Sequence, residues 1–215
     1  MVGSGVRVIR RVLTGLDLEP QAPSAAGDRL PAPVRAEVAP LLAAGAGLFA
    51  VVDGARCPGL PELLEGLGLP HASLLSGQAA GTVGGAAPFL VALTGRDTLS
   101  RWLFAASGVP LPLWGRNAAI LVVSDKGLAG LRAHLRRFTM LQGEDGAWLY
   151  FRFFAPATMD GLGRLLTEDA GAAQAFFGDA IGMVLHEIPA RNQMAVLAAR
   201  GTAPAGAGAP PLRAD

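Results

Sequence analysis

The residues of this chain that are typed and spaced for chemistry are few. Asp53-Gly54-Ala55-Arg56 follows the apolar run Leu48–Val52. In an open α/β sheet the carboxyl end of a strand is where ligands sit, so Asp53 is a candidate acid or metal ligand. It is also a residue type that turns a chain after a strand, here with Arg56 as an available partner. One carboxylate with no His or second carboxylate nearby in sequence lacks the partner that acid–base chemistry needs. Downstream, residues 77–87 form a glycine-rich loop containing Gly81, Gly84 and Gly85. A phosphate cradle needs such glycines before a helix N-terminus, usually with a following Lys. Here Pro88 and a strand follow and the Lys is absent, so the loop is not a P-loop. Asp53 with the Gly81–Gly85 loop still supports an alternative reading as a small α/β enzyme. The histidines His71, His134 and His186 are far apart, and no zinc-protease, paired-cysteine or serine-elbow motif occurs. His186 and Glu187 are adjacent, and neighbours on a strand point to opposite faces. No catalytic, cofactor-binding or metal-ligating residue is assigned.

A second concentration of chemistry is basic. Arg132, Arg136 and Arg137 lie on or just after a helix whose apolar face is Leu128, Leu131, Leu135 and Phe138. An anionic partner, nucleic acid included, would use such a cluster, and its binding would depend steeply on salt. A nucleic-acid reader also needs further basic residues and exposed aromatics. The net charge of +1, from 18 Lys and Arg against 17 Asp and Glu, leaves no broad electrostatic footprint for nucleic acid or a membrane surface.

The elements that must position these groups follow from periodicity. Ile120–Val123 is a buried strand, and Ser124 with Asp125 behind it is the expected N-cap of the Arg132 helix. Trp148–Phe154 reads as a strand by aromatic content. Alternation puts Phe151 and Phe153 on one face, and Tyr150, Arg152 and Phe154 on the other. With helices over both faces it is a central strand. Arg152 is then partly buried and needs a carboxylate, for which Asp53 is the candidate. Phe89–Leu93 is another strand, and His71–Leu75 a short one. Helices are expected at 35–44, 58–67, 98–107 and 157–166. A further helix opens at Thr167 and stops at Gly178. Residues 181–188 and 194–199 read as a hairpin, with a helix as the alternative.

This gives an α/β fold: a central mixed sheet flanked by helices, with a small, mainly helical C-terminal lobe. The division is a loosely ordered arm over 1–45, an α/β domain over 46–178, the small lobe over 179–200 and a disordered Ala-Gly-Pro tail over 201–215. Hydrophobic content of 51% is ample for one core. The single cysteine, Cys57, excludes an intrachain disulfide and a cysteine-rich zinc site, and fits a reducing cytoplasmic location. The uncharged region 72–95 contains Ser, Gln, Pro and several glycines, so it reads as loop and strand rather than a membrane span.

Several motifs in order resemble one family. His134-Leu135-Arg136-Arg137 on the helix, then Phe151-Arg152-Phe153-Phe154 and Pro156, are similar to the core of the type VI secretion effector-chaperone (adaptor) family. Val52-Asp53-Gly54-Ala55 near the start, the Pro88–Leu93 segment, Trp114-Gly115 and Phe176-Phe177-Gly178 fit the same pattern, over roughly residues 48–178. Ala155 departs from it: the family usually has Asp there, which would cap the following helix. The resemblance implies a non-catalytic, cytoplasmic adaptor without a cofactor. Its partners would be a toxic effector and the spike-tip protein that the effector is loaded onto. Such a protein needs an apolar groove or sheet edge. The expected groove lies between the sheet domain and the C-terminal helices, with Phe176, Phe177 and Met183 as lining candidates, each also readable as core.

Overall fold

The computed structural model describes residues 6–18, 27–75, 84–188 and 191–200. Nine strands and six helices are found among them. The strands are β1 (Arg7–Leu13), β2 (Gly47–Asp53), β3 (His71–Ser73), β4 (Pro88–Leu93), β5 (Ala119–Ser124), β6 (Met140–Gln142), β7 (Trp148–Tyr150), β8 (Met183–Ile188) and β9 (Gln193–Arg200). The helices are α1 (Ala32–Ala43), α2 (Leu60–Gly66), α3 (Thr98–Leu103), α4 (Gly127–Leu135), α5 (Pro156–Glu168) and α6 (Ala170–Phe177). Seven strands form one sheet in the order β1-β9-β8-β5-β2-β4-β3, and β6 and β7 form a separate ribbon.

The sheet is covered on both faces, which is why β2 and β5 read as unbroken apolar runs. On one face Leu48, Ala50, Val52, Leu121, Val123 and Leu185 pack with Val34 and Val38 of α1, Leu60 and Leu64 of α2, and Leu99 and Trp102 of α3. On the other face Phe49, Val51, Ile120, Val122 and Val184 pack with Leu131 and Leu135 of α4, Met159 of α5 and Phe176 of α6. The first three helices thus cover one face and the last three the other.

The α/β class read from the sequence holds, and several local expectations are corrected. Every strand pairing in the large sheet is antiparallel. Part of the expected loose arm is β1, paired with β9 from Arg7–Arg200 to Leu13–Met194. Residues 183–200 are the hairpin β8–β9 inside the main sheet, so the helical C-terminal part is α5 and α6. Helix α4 begins at Gly127 with Lys126 at its N-cap position, and the Ser124 hydroxyl instead accepts from Lys126 N at 3.1 Å in a local turn. Asp169, not Thr167, caps α6, accepting from Gly171 N at 2.7 Å and Ala172 N at 2.9 Å. The tail over 201–215 and most of the glycine-rich loop, Gly81 included, lie outside the described residues.

The largest correction concerns Trp148–Phe154. Only Trp148–Tyr150 is strand, and it pairs with β6 rather than with the main sheet. Phe153 and Phe154 sit in a turn leading to Pro156, and both are fully buried in the same cluster. Strand alternation would have sent them to opposite faces; the turn lets both enter one core.

Candidate functional site

The Asp53 turn is built from backbone constraints. Asp53 N donates to Ala118 O at 2.8 Å, and Asp53 Oδ1 accepts from Ala55 N at 3.0 Å, closing a short 3-10 turn over Gly54–Arg56. Gly54 N donates to Ala87 O at 3.1 Å. A Cβ on Gly54 would stand 2.2 Å from Gly85 O and 2.3 Å from Ala87 O, so no other residue fits. Gly84–Ala86 is itself a 3-10 turn laid against this one. The described part of the glycine-rich loop therefore abuts the Asp53 turn as backbone packing.

The remaining Asp53 oxygen forms an ion pair with Arg152 Nη2, as the sequence reading asked. The Asp53 side chain is 2% exposed and that of Arg152 36% exposed. The pairing holds although the strand assumed to carry Arg152 is a turn. Two neighbours register this charge. Cys57 is pushed up to about 11, first by burial and then by Asp53, with Arg116 opposing. Tyr150 is pushed up to about 12, by burial and then by Asp53, with Arg152 opposing. Both hold their protons at neutral pH, so neither is an activated nucleophile.

The topology removes the premise for a ligand at Asp53. A shared carboxyl edge exists where neighbouring strands are parallel. Here β2 runs antiparallel to both β4 and β5, so Asp53 is paired with Pro88 at the start of β4 and lies beyond the start of β5. Arg56 is exposed and makes no ion pair with Asp53, whose partner is Arg152. Among the described residues, no group of three or more His, Cys, Asp or Glu is placed to hold a metal ion.

The His134 motif also joins elements. His134 Nε2 donates to Phe176 O, near the end of α6, at 2.6 Å. Arg137 Nη2 donates to His134 Nδ1 at 2.7 Å, which fixes the neutral ring with its proton on Nε2. Burial pushes the His134 pKa down, the Arg137 charge works in the same direction, and the Phe176 carbonyl and Asp179 oppose them. Leu135 is fully buried, and Arg136 is exposed. Arg132 Nε donates to Ser73 O at 2.6 Å, tying α4 to the edge strand β3. The arginines that could have formed a nucleic-acid site are thus partly committed to carbonyl and imidazole acceptors.

Phe176, Phe177 and Met183 do not line a shared groove. Phe176 and Phe177 are 3% and 0% exposed and stack edge-on with a centroid separation of 5.7 Å. Met183 is 4% exposed and belongs to the core on the opposite face of the sheet. The partner surface placed there by the sequence reading is corrected: these are core residues.

The cap left open by Ala155 is supplied from elsewhere. Ala155 is the N-cap residue of α5 and makes no side-chain cap. Asn117 Oδ1 accepts from Ala157 N at 2.8 Å, satisfying one of the donors at the helix start. Asn117 has φ 55°, a left-handed value that Asn tolerates. Glu187 holds it there: its carboxylate accepts from Gly115 N at 2.6 Å and Asn117 N at 2.9 Å. Sequence reasoning missed Asn117 and weighed Glu187 only as a neighbour of His186. The signal for Asn117 was an Asn just after the Trp114-Gly115 break; nothing local marks Glu187 as its partner.

The model of a family described as a domain of unknown function, DUF4123, matches residues 48–172. The chain belongs to this family. Neither the comparison with curated proteins nor that with solved structures returned a match. In this DUF4123 domain the resembling motif positions are ties between elements. Asp53 and Arg152 join β2 to the turn before α5, Gly54 seats one turn on another, His134 joins α4 to α6, and Pro156 starts α5. No described helix is long and apolar enough to cross a membrane.

Proposed function

We propose that this protein is a non-catalytic adaptor that binds a type VI secretion effector in the cytoplasm and helps load it onto the spike-tip protein. Membership of the DUF4123 family, which is associated with type VI secretion, supports the reading. The observation that carries it structurally is what the motif residues do. Catalytic residues converge on a cleft with perturbed acids or bases. Here Asp53, Arg152, His134 and Gly54 are spent on inter-element ties. A protein whose family motifs secure a scaffold does its work at a surface, as a binding module does.

The test is co-expression of the tagged chain with the product of the adjacent downstream gene. Co-elution, with a higher soluble yield of the partner, is the expected result. Absence of a complex with either neighbouring gene product, in a locus without secretion genes, would overturn the proposal.

A further inference from the structure

The seven-strand sheet has two edges, and they are finished differently. Strand β3 is three residues long, and its Ser73 carbonyl already accepts from Arg132 Nε at 2.6 Å. Strand β1 is seven residues long, contains no proline, pairs with β9 without a bulge and has no neighbour on its other side. A long, regular edge is a template for a further strand. The register says which of its groups face outward. Ala199 N donates to Gly182 O at 3.1 Å, so Ala199 of β9 turns its main chain toward β8. Bonding direction alternates along an antiparallel ladder. Ile9, Arg11 and Leu13 therefore bond to β9, opposite Ala198, Val196 and Met194, while Val8, Arg10 and Val12 point their N–H and C=O groups away from the sheet. Val6 N, in the same phase, donates to Gln174 Oε1 at 3.1 Å, which caps the first outward donor. Among the described residues, no hydrogen bond reaches the outward groups of Val8, Arg10 or Val12. Such a row complements another extended main chain.

The side chains of the edge state what that chain carries. Arg10 and Arg11 have carboxylate partners in Asp160 and Glu37. Arg7 has none among the described residues; it is exposed and directly opposed to Arg200, which is also exposed and also makes no ion pair among them. Like charges so opposed disfavour each other, and a carboxylate on the outer side of Arg7 would relieve them. On the other face of the strand, an open cleft of about 400 Å3 lies between β1 and the α5–α6 junction. Val6, Val8, Leu166 and Ala170 give it an apolar wall, with Thr167 and Glu168 beside them. It suits a large apolar side chain and disfavours an acidic one. A second copy of the chain fits this edge poorly. Two-fold pairing of β1 with itself about Ile9, Arg10 or Arg11 would set Arg7 against Arg11, Arg10 against Arg10 or Arg11 against Arg11.

We propose that an extended segment of a partner protein adds to β1 as an eighth strand, antiparallel like every other pair in the sheet, with an acidic residue opposite Arg7 and a large apolar residue opposite Val8. Directly opposed residues share a face, so the first lies beside the Arg7 guanidinium and the second over the cleft. The main chain supplies most of the attraction and these two side chains the selectivity. The proposal rests on the adaptor reading for the source of the segment, a protein partner.

The probe is a fluorescein-labelled, threonine-rich octapeptide with valine, phenylalanine and glutamate at the positions opposite Val12, Val8 and Arg7. Anisotropy titration of the wild-type chain is expected to show saturable binding. Lysine in place of the glutamate should weaken it by about threefold or more, and Arg7→Glu should reverse that preference. Main-chain pairing is read by N-methylation of the peptide. Methyl groups on the residues opposite Val8 and Arg10 block N–H groups aimed at β1 and should weaken binding by about tenfold or more. On the residues opposite Ile9 and Arg11 they point away from β1 and should change it little. Val12→Pro removes only an outward N–H, which an edge strand tolerates, and should weaken binding at an unchanged urea midpoint. If that variant does not fold, the two methylated peptides decide the question on the wild-type chain.

No saturable binding, which is also the result if the chain's own residues hold the edge, overturns the proposal. So does equal binding of the lysine peptide, or equal weakening by the two methylation patterns. Self-association of the wild type that Val12→Pro abolishes overturns it too, by making a second copy the occupant. The adaptor reading is tested apart from this. If the peptide docks and no neighbouring gene product forms a complex, that reading fails and the edge stands. If a complex forms and survives in both Val12→Pro and Arg7→Glu, the edge fails and the adaptor reading stands.

Discussion

Gly54 and Asp53 are adjacent and are fixed for different physical reasons. At Gly54 the obstacle is two carbonyl oxygens of the main chain, 2.2 and 2.3 Å from where a Cβ would sit. Backbone cannot yield as a flexible side chain does, so Gly54→Ala should cost at or above the upper end of the ~1–3 kcal/mol typical of overpacking. The measurement is a shift of the urea midpoint at unchanged slope. At Asp53 the issue is charge. Arg152→Ala would leave a carboxylate with 2% exposure without its cation. Fully buried pairs lose ~3–5 kcal/mol when one partner is removed, but Arg152 is partly solvated, and roughly 2–3 kcal/mol is expected here. Arg152→Met combined with Asp53→Asn should recover part of that loss, because no lone charge remains buried. A double-mutant cycle reading no coupling would remove the pair from the account of stability. The pair was legible in the sequence for a limited reason. A buried arginine needs a carboxylate wherever the chain runs, so the inference survived an incorrect strand. Gly54's need was not legible, since it arises from a contact with Gly85 and Ala87 some thirty residues away.

At the scale of elements, sequence patterns worked where one element's own residues decided its fate. Strands β2, β4 and β5 are long apolar runs, and helix α3 carries its own cap, with Asp97 Oδ1 accepting from Ser100 N at 2.7 Å. They failed where a neighbour decided. The Trp148–Phe154 run has strand composition, yet Phe153 and Phe154 gain more by entering one buried cluster through a turn than by alternating. Helix α5 is the sharper case, because its cap comes from another segment. Asn117→Gly keeps the left-handed backbone and removes the carboxamide, so it isolates the cap. A loss of about 1 kcal/mol is expected. Ala155→Asp in that background restores an acceptor at the N-cap position itself and should recover much of the loss. In the wild type, where Asn117 already serves Ala157 N, the same substitution should gain little. Equal effects of Ala155→Asp in both backgrounds, by thermal or urea unfolding, would show that Asn117 does not act as the cap.

The whole molecule carries a pH dependence that no local motif announces. His186 lies in β8 on the face shared with Ile120 and Val184, and is fully buried between helices and sheet. Its Nδ1 donates to Glu187 O at 3.0 Å, while Nε2 is buried with no partner among the described residues. Burial pushes its pKa below the ordinary 6.5, and the nearby Arg10 charge works the same way. The Glu187 carbonyl and the Asp160 carboxylate oppose these and do not prevail. The folded state therefore keeps His186 neutral where the unfolded chain takes up a proton. Stability contributed by the neutral ring is fully present above the unfolded value of 6.5 and is lost as pH falls from there toward the lower folded value. His134, whose pKa is also lowered, adds to the loss in the same direction. Urea midpoints taken at about pH 8, 6.5 and 5 should accordingly decline across the lower interval in the wild type. His186→Gln has a similar reach and cannot take up the proton, so its decline should be shallower, with the residue due to His134. A wild type and a His186→Gln variant that fall in parallel would place the acid sensitivity elsewhere. The ion pair of Arg10 with Asp160, at 2.6 Å, joins β1 to α5, and both of its charges act on His186. A protonated ring is drawn to Asp160 more strongly than it is repelled by Arg10, so it competes with Arg10 for that carboxylate. The first consequence of acid should then be loosening of β1 from α5, seen as early exchange of the β1 amides, before the β2–β5 centre opens.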